Sequence, residues 1–147
     1  MKVFIDQSGK IENTEKDTVI AFTNKISASI RIPAKVKRLF QKIYRKKGKP
    51  KLYIYETFAF GIFLLLKNYL SWVKDVVIDK EYPGHEKMVK QLLLELIEKN
   101  KLKIPHIEFA RIGRKPRVHY AAHDVFEKKK KPTYEISLKT ILALTKK

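Results

Sequence analysis

The chain has 147 residues, 44% of them hydrophobic and 33% charged, a size and balance that suit one globular domain, residues 1–147, and argue against a disordered or repetitive chain. Its 33 Lys and Arg against 15 Asp and Glu give a formal charge of +18, far more than solubility requires, so nucleic acid is the expected partner and an anionic membrane surface the weaker one. The absence of cysteine excludes disulfides and thiolate metal sites.

Lys2 to Ile5 reads as a strand, with a turn at Gln7-Ser8-Gly9-Lys10 and a second strand from Thr18 to Thr23. Ile26, Ala28, Ile30 and Ile32 alternate with polar residues, which predicts a third, half-buried strand stopped by Pro33. Val36, Leu39, Phe40 and Ile43 then follow helical spacing up to Gly48 and Pro50, so residues 34–49 form a basic helix inserted after the third strand. No acidic residue occurs between Thr18 and Tyr55, which makes Lys35, Lys37, Arg38, Lys42, Arg45, Lys46 and Lys47 the expected phosphate-contacting surface.

Leu52 to Tyr55 suits either a short strand or the lead-in to a helix, and Glu56 to Leu70 is apolar nearly all round, as in a buried helix. This longest apolar run ends at Lys67, too short for a membrane span, and the start of the chain lacks a signal-peptide core, so a cytoplasmic protein is expected. Trp72-Val73 and Val76 to Ile78 give a central strand buried on both faces. A periodic helix runs from His85 or Glu86 to Lys99, a fifth strand from Ile107 to Ile112, and a further helix from Val118 to Lys131. The tail from Tyr134 to Leu144 holds one more short helix or strand.

Four acidic residues stand in apolar settings. Asp6 follows Val3-Phe4-Ile5, Asp79 follows Val76-Val77-Ile78, Glu56 heads the apolar stretch from Phe58 to Leu66, and Asp124 interrupts Val118 to Phe126. Each alone also suits an ordinary place: an Asx turn, a helix N-terminus, a turn before Pro83-Gly84, an exposed helix face. Glu81 and Asp75 are rivals to Asp79, which is preferred because it directly ends the apolar run.

The element order, three strands, helix, strand, helix, strand, helix, resembles the ribonuclease H-like superfamily. Asp6-Gln7-Ser8-Gly9 is similar to the Asp-Gly-Ser start of cellular type 1 ribonucleases H, with Gln7 as a departure. The resemblance implies an α/β fold, a mixed five-stranded sheet flanked by helices, and a catalytic set of Asp6, Glu56, Asp79 and Asp124. It also implies two Mg2+ or Mn2+ ions, with Asp6 bridging both, Glu56 and Asp79 on one, and Asp124 on the other. Several carboxylates are needed because two cations about 3.5–4 Å apart stabilise the attacking and leaving oxygens of a phosphodiester.

His119 and His123 lie four apart on one predicted helix. Without a His-Glu-x-x-His pattern, zinc is disfavoured, and the functional reading places one of them beside the metals, helping a water or a product phosphate to move or equally serving as a ligand. Arg111, Arg114, Lys115 and Arg117 precede that helix and suit a scissile-strand phosphate. The expected activity is cleavage of the RNA strand of RNA–DNA hybrids by a monomer. A homodimeric structure-selective nuclease of the Holliday-junction resolvase type is the alternative, and a non-catalytic nucleic-acid-binding module is the alternative outside enzymes.

Overall fold

The computed structural model describes residues 1–112, 116–128, 131–137, 139–140 and 143, with only the backbone for 116–120. The chain order is β1 (Lys2–Ser8), β2 (Thr18–Thr23), β3 (Ser27–Ile32), α1 (Ala34–Lys46), α2 (Leu52–Leu66), β4 (Asp75–Asp79), α3 (Glu86–Lys99), β5 (His106–Ala110), α4 (Pro116–Phe126) and β6 (Tyr134–Glu135). All six strands join one mixed sheet in the order β5-β4-β1-β2-β3-β6. β1, β2 and β3 form an antiparallel meander, while β4 pairs parallel to β1 and β5 parallel to β4.

Alternation along the strands splits the apolar side chains between two layers. Val3, Ile5, Ile20, Phe22, Ile30, Val76 and Ile78 enter the main core, with residues of α2 and α3. Val19 and Ala21 face the other way and pack against Ala122 and Val125 of α4. β2 is therefore buried at every residue, although it belongs to an antiparallel meander. Arg31 donates to the Val125 carbonyl at 2.9 Å, which ties α4 to β3. Among the described residues, no helix is long and apolar enough to cross a membrane.

Several boundaries differ from the sequence reading. The first strand continues to Ser8, so Asp6 and Gln7 lie within it rather than after it. Leu52 to Tyr55 is the first turn of α2, which begins four residues before Glu56. The predicted fourth strand loses Trp72, which is 60% exposed, and starts at Asp75. The sheet has six strands instead of five, because Tyr134 and Glu135 add a short parallel edge beside Ile30 and Arg31.

The buried stripe of α1 also differs: it is Val36, Lys37, Phe40 and Tyr44, while Leu39 is 44% exposed. This helix packs on α2 through Phe40 and Phe60, whose ring centroids are 5.7 Å apart. Pro33 supplies no side-chain cap, so the first-turn N–H of Ala34 donates to Asp17 Oδ1 at 2.8 Å from the β1–β2 connection.

Candidate metal centre

Parallel pairing aligns Phe4 with Val77 and Ile5 with Ile78, so the next step of the register sets Asp6 beside Asp79. Both side chains share the α4 face of the sheet with Phe4 and Val77, since strand neighbours alternate. Glu81 follows two residues after Asp79, and its N–H donates to the Asp79 carbonyl at 2.9 Å, a tight turn just past the strand. One carboxylate oxygen from each of Asp6, Asp79 and Glu81 lies within 4.8 Å of the others.

Backbone donors orient two of the three. Asp6 Oδ1 accepts from the Gln7 N–H, and Asp79 Oδ1 accepts from the Ile112 N–H, each at 2.9 Å. Asp6 is only 7% exposed. Burial, and then the charges of Asp6 and Asp79, push the Glu81 carboxyl up to about 8. Three like charges this close disfavour their joint ionisation, and a bound cation removes that penalty.

Behind the acids lies Tyr82. Its hydroxyl accepts from Gln7 Nε2 at 3.0 Å and from the Ile11 N–H at 3.3 Å, and donates to Glu12 Oε1 at 3.3 Å. Burial pushes this phenol above its ordinary range, so it remains a donor. The ring stands edge-on to Phe58 and Tyr55, and Tyr55 stacks on His85 with centroids 4.1 Å apart.

The other expected ligands are placed differently. Asp75 starts β4 opposite Lys2, at the far end of the strand, which removes it as a rival. Glu81 joins Asp79 instead of replacing it. Glu56 stands apart from the three-carboxylate group: it lines a cavity of about 290 Å³ between α1, α2 and α3, together with Lys47, Lys49, Glu95 and Lys99. Glu56 lies on the side of α2 that faces the neighbouring helices α1 and α3. Asp124 is half-buried on α4, the helix covering the face that carries Asp6 and Asp79, and is not one of the three gathered acids. His123 is half-buried, with Nε2 3.8 Å from Glu127 Oε1 one turn later. The side chains of His119 and Arg117, and all of Arg114 and Lys115, lie outside the described residues; Arg111 is exposed.

The basic face of α1 is exposed at Lys35, Arg38, Lys42, Arg45, Lys46 and Lys47. Lys37 leaves that set, because it is fully buried and its ammonium donates to the Lys10 and Asn13 carbonyls and to Thr18 Oγ1. Arg38 donates to the Thr14 carbonyl at 2.7 Å. Arg45, Lys46, Lys47, Lys49 and Lys51 crowd the connection between α1 and α2, where Gly48 takes a φ of +74° and leaves open space around it.

In comparison with known proteins, no family model, curated protein or solved structure matches this chain. The chemistry of the donor set is then the guide to what it could hold. Three carboxylates, with no imidazole joining them among the described residues and no cysteine in the chain, suit a hard divalent cation such as Mg2+ or Mn2+ better than zinc or copper.

Proposed function

We propose that the protein is a divalent-metal-dependent nuclease of the ribonuclease H-like kind, with the RNA strand of an RNA–DNA hybrid as its expected substrate. The observation that carries this reading is the convergence of Asp79 and Glu81, at the end of β4, with Asp6 of the adjacent parallel strand β1 in a chain of charge +18. Such a convergence is costly in a protein with no use for a cation, because each carboxylate makes the others harder to ionise. The parallel pairing of β1 with β4 also supports the resemblance, which needs acids from the first and fourth strands to meet.

Bound divalent cations would supply charge stabilisation at the attacking and leaving oxygens of the phosphodiester and would acidify a water. Asp6, Asp79 and Glu81 would hold the first ion, with Asp6 and Asp79 oriented by the N–H groups of Gln7 and Ile112. Asp124, on the helix over the same face, is the candidate ligand for a second. Exposed cations of α1 would grip the backbone phosphates and read no sequence, as expected for recognition of duplex shape and 2′-hydroxyls.

The test is cleavage of labelled RNA–DNA hybrid, duplex DNA, single strands and a four-way junction in Mg2+ or Mn2+, comparing wild type with Asp6→Asn and Asp79→Asn. Metal-dependent cutting of the hybrid that both substitutions abolish supports the proposal. Cutting confined to the junction reassigns the substrate to the resolvase type, and tight binding without metal-dependent cutting assigns a non-catalytic module.

A further inference from the structure

We propose that Tyr82, through its hydrogen bond to Gln7, is a positioning residue that sets the distance between the Asp6 and Glu81 carboxylates; this rests on the metal reading above. Gln7 is the residue after Asp6, and Tyr82 is the residue after Glu81. A 3.0 Å bond from Gln7 Nε2 to the Tyr82 hydroxyl therefore links the immediate neighbours of two acids that come from separate parts of the chain. Asp6 and Glu81 converge on one side, while Gln7 and Tyr82 meet behind them, where the Tyr82 ring packs edge-on against Phe58 of α2 at 5.3 Å.

The tie has a physical purpose. Glu81 lies beyond the end of β4, where the strand ladder no longer holds the backbone, and Pro83-Gly84 follows, with Gly84 at a φ of +89°. Once Glu81 is ionised, as a ligand must be, Asp6 and Asp79 repel its side chain, so its backbone has to be held in place by other contacts. Two anchors hold it: the Glu81 N–H bonded to the Asp79 carbonyl, and the Tyr82 hydroxyl bonded to the first strand and its loop. Gln7 is itself 8% exposed, so its amide is committed to the interior and not to solvent. Groups that orient ligands typically change metal affinity by about 10–100-fold when removed.

The experiment is Mn2+ titration by calorimetry on wild type, Tyr82→Phe, Gln7→Met and the double variant, with Asp6→Asn as the ligand control, and with thermal melting on each. Tyr82→Phe keeps the packed ring and removes only the hydroxyl. The expected result is a Mn2+ Kd raised about tenfold in either single variant and no further in the double, with cleavage at saturating Mn2+ restored to near the wild-type kcat. If Tyr82→Phe does not fold, Gln7→Met breaks the same bond from the other side.

A lowered melting temperature with an unchanged Mn2+ Kd, while Asp6→Asn loses binding, overturns the positioning role and leaves the metal reading standing. Wild type that takes up no Mn2+, or Asp6→Asn that binds it equally well, overturns the metal reading and this proposal with it.

Discussion

Two regions of this protein bury charge, and they do so in opposite ways. Lys37 is fully enclosed, and its three donors meet three oxygens, from Lys10, Asn13 and Thr18, at 2.7 to 3.1 Å. Burial holds its pKa down at about 8, so the fold tolerates this ammonium at neutral pH by satisfying it completely. Asp6, Asp79 and Glu81 are gathered with their own kind, and burial together with the neighbouring charges pushes the Glu81 carboxyl up to about 8. The ammonium is satisfied by the fold itself, whereas the gathered acids are relieved either by a shared proton or, on the proposed reading, by a bound cation.

Four experiments probe that contrast. The largest effect is expected at the acids: Asp79→Asn should weaken Mn2+ binding by more than about 100-fold, since losing a ligand exceeds the loss of an orienting partner. Calorimetry reads it, and melting of the metal-free variant should show no loss of stability. Lys37→Met should do the reverse, costing about 2 kcal/mol in urea unfolding because buried acceptors lose their donor, with the Mn2+ Kd of the folded protein unchanged.

Next comes the exposed face of α1. Replacing Lys42, Arg45, Lys46 and Lys47 by Gln should weaken hybrid binding roughly tenfold and flatten its salt dependence by about 0.7–0.9 for each phosphate no longer neutralised, measured by fluorescence anisotropy. The smallest effect is on pH. Between about 8 and 10.5 the unfolded chain still holds the Lys37 proton that the native protein has released, so native stability should rise with pH across that window. The stability of wild type relative to Lys37→Met should therefore grow from pH 8 to 10.5; a flat difference in denaturant midpoints sinks the assignment.

Asp6 and Asp79 are legible in the sequence because each follows an unbroken apolar run, and strand alternation then fixes the face they share. Glu81 reads there only as a replacement for Asp79, since no pattern shows that a turn past the strand end will hold residues 79 and 81 together. Glu56 illustrates the opposite problem: α2 is apolar all round, so nothing in the sequence sets its rotational phase, and its packing places Glu56 at a different cavity. Lys37 is hidden because the stripe of Val36, Leu39, Phe40 and Ile43 assumes packing on a flat layer. The observed helix rolls toward Tyr44 to meet α2 and the β1–β2 connection, which buries Lys37 and exposes Leu39. Gln7 reads as a departure from a resembled motif, and only the fold brings its amide to Tyr82.

The decisive measurement is anomalous scattering from a crystal of the protein soaked in Mn2+. A Mn2+ peak ligated by Asp6, Asp79 and Glu81, where β4 ends beside β1, is expected, and it should vanish in an Asp6→Asn crystal. Mn2+ bound only elsewhere, or absent from these carboxylates at saturating concentration, would contradict a metal centre here.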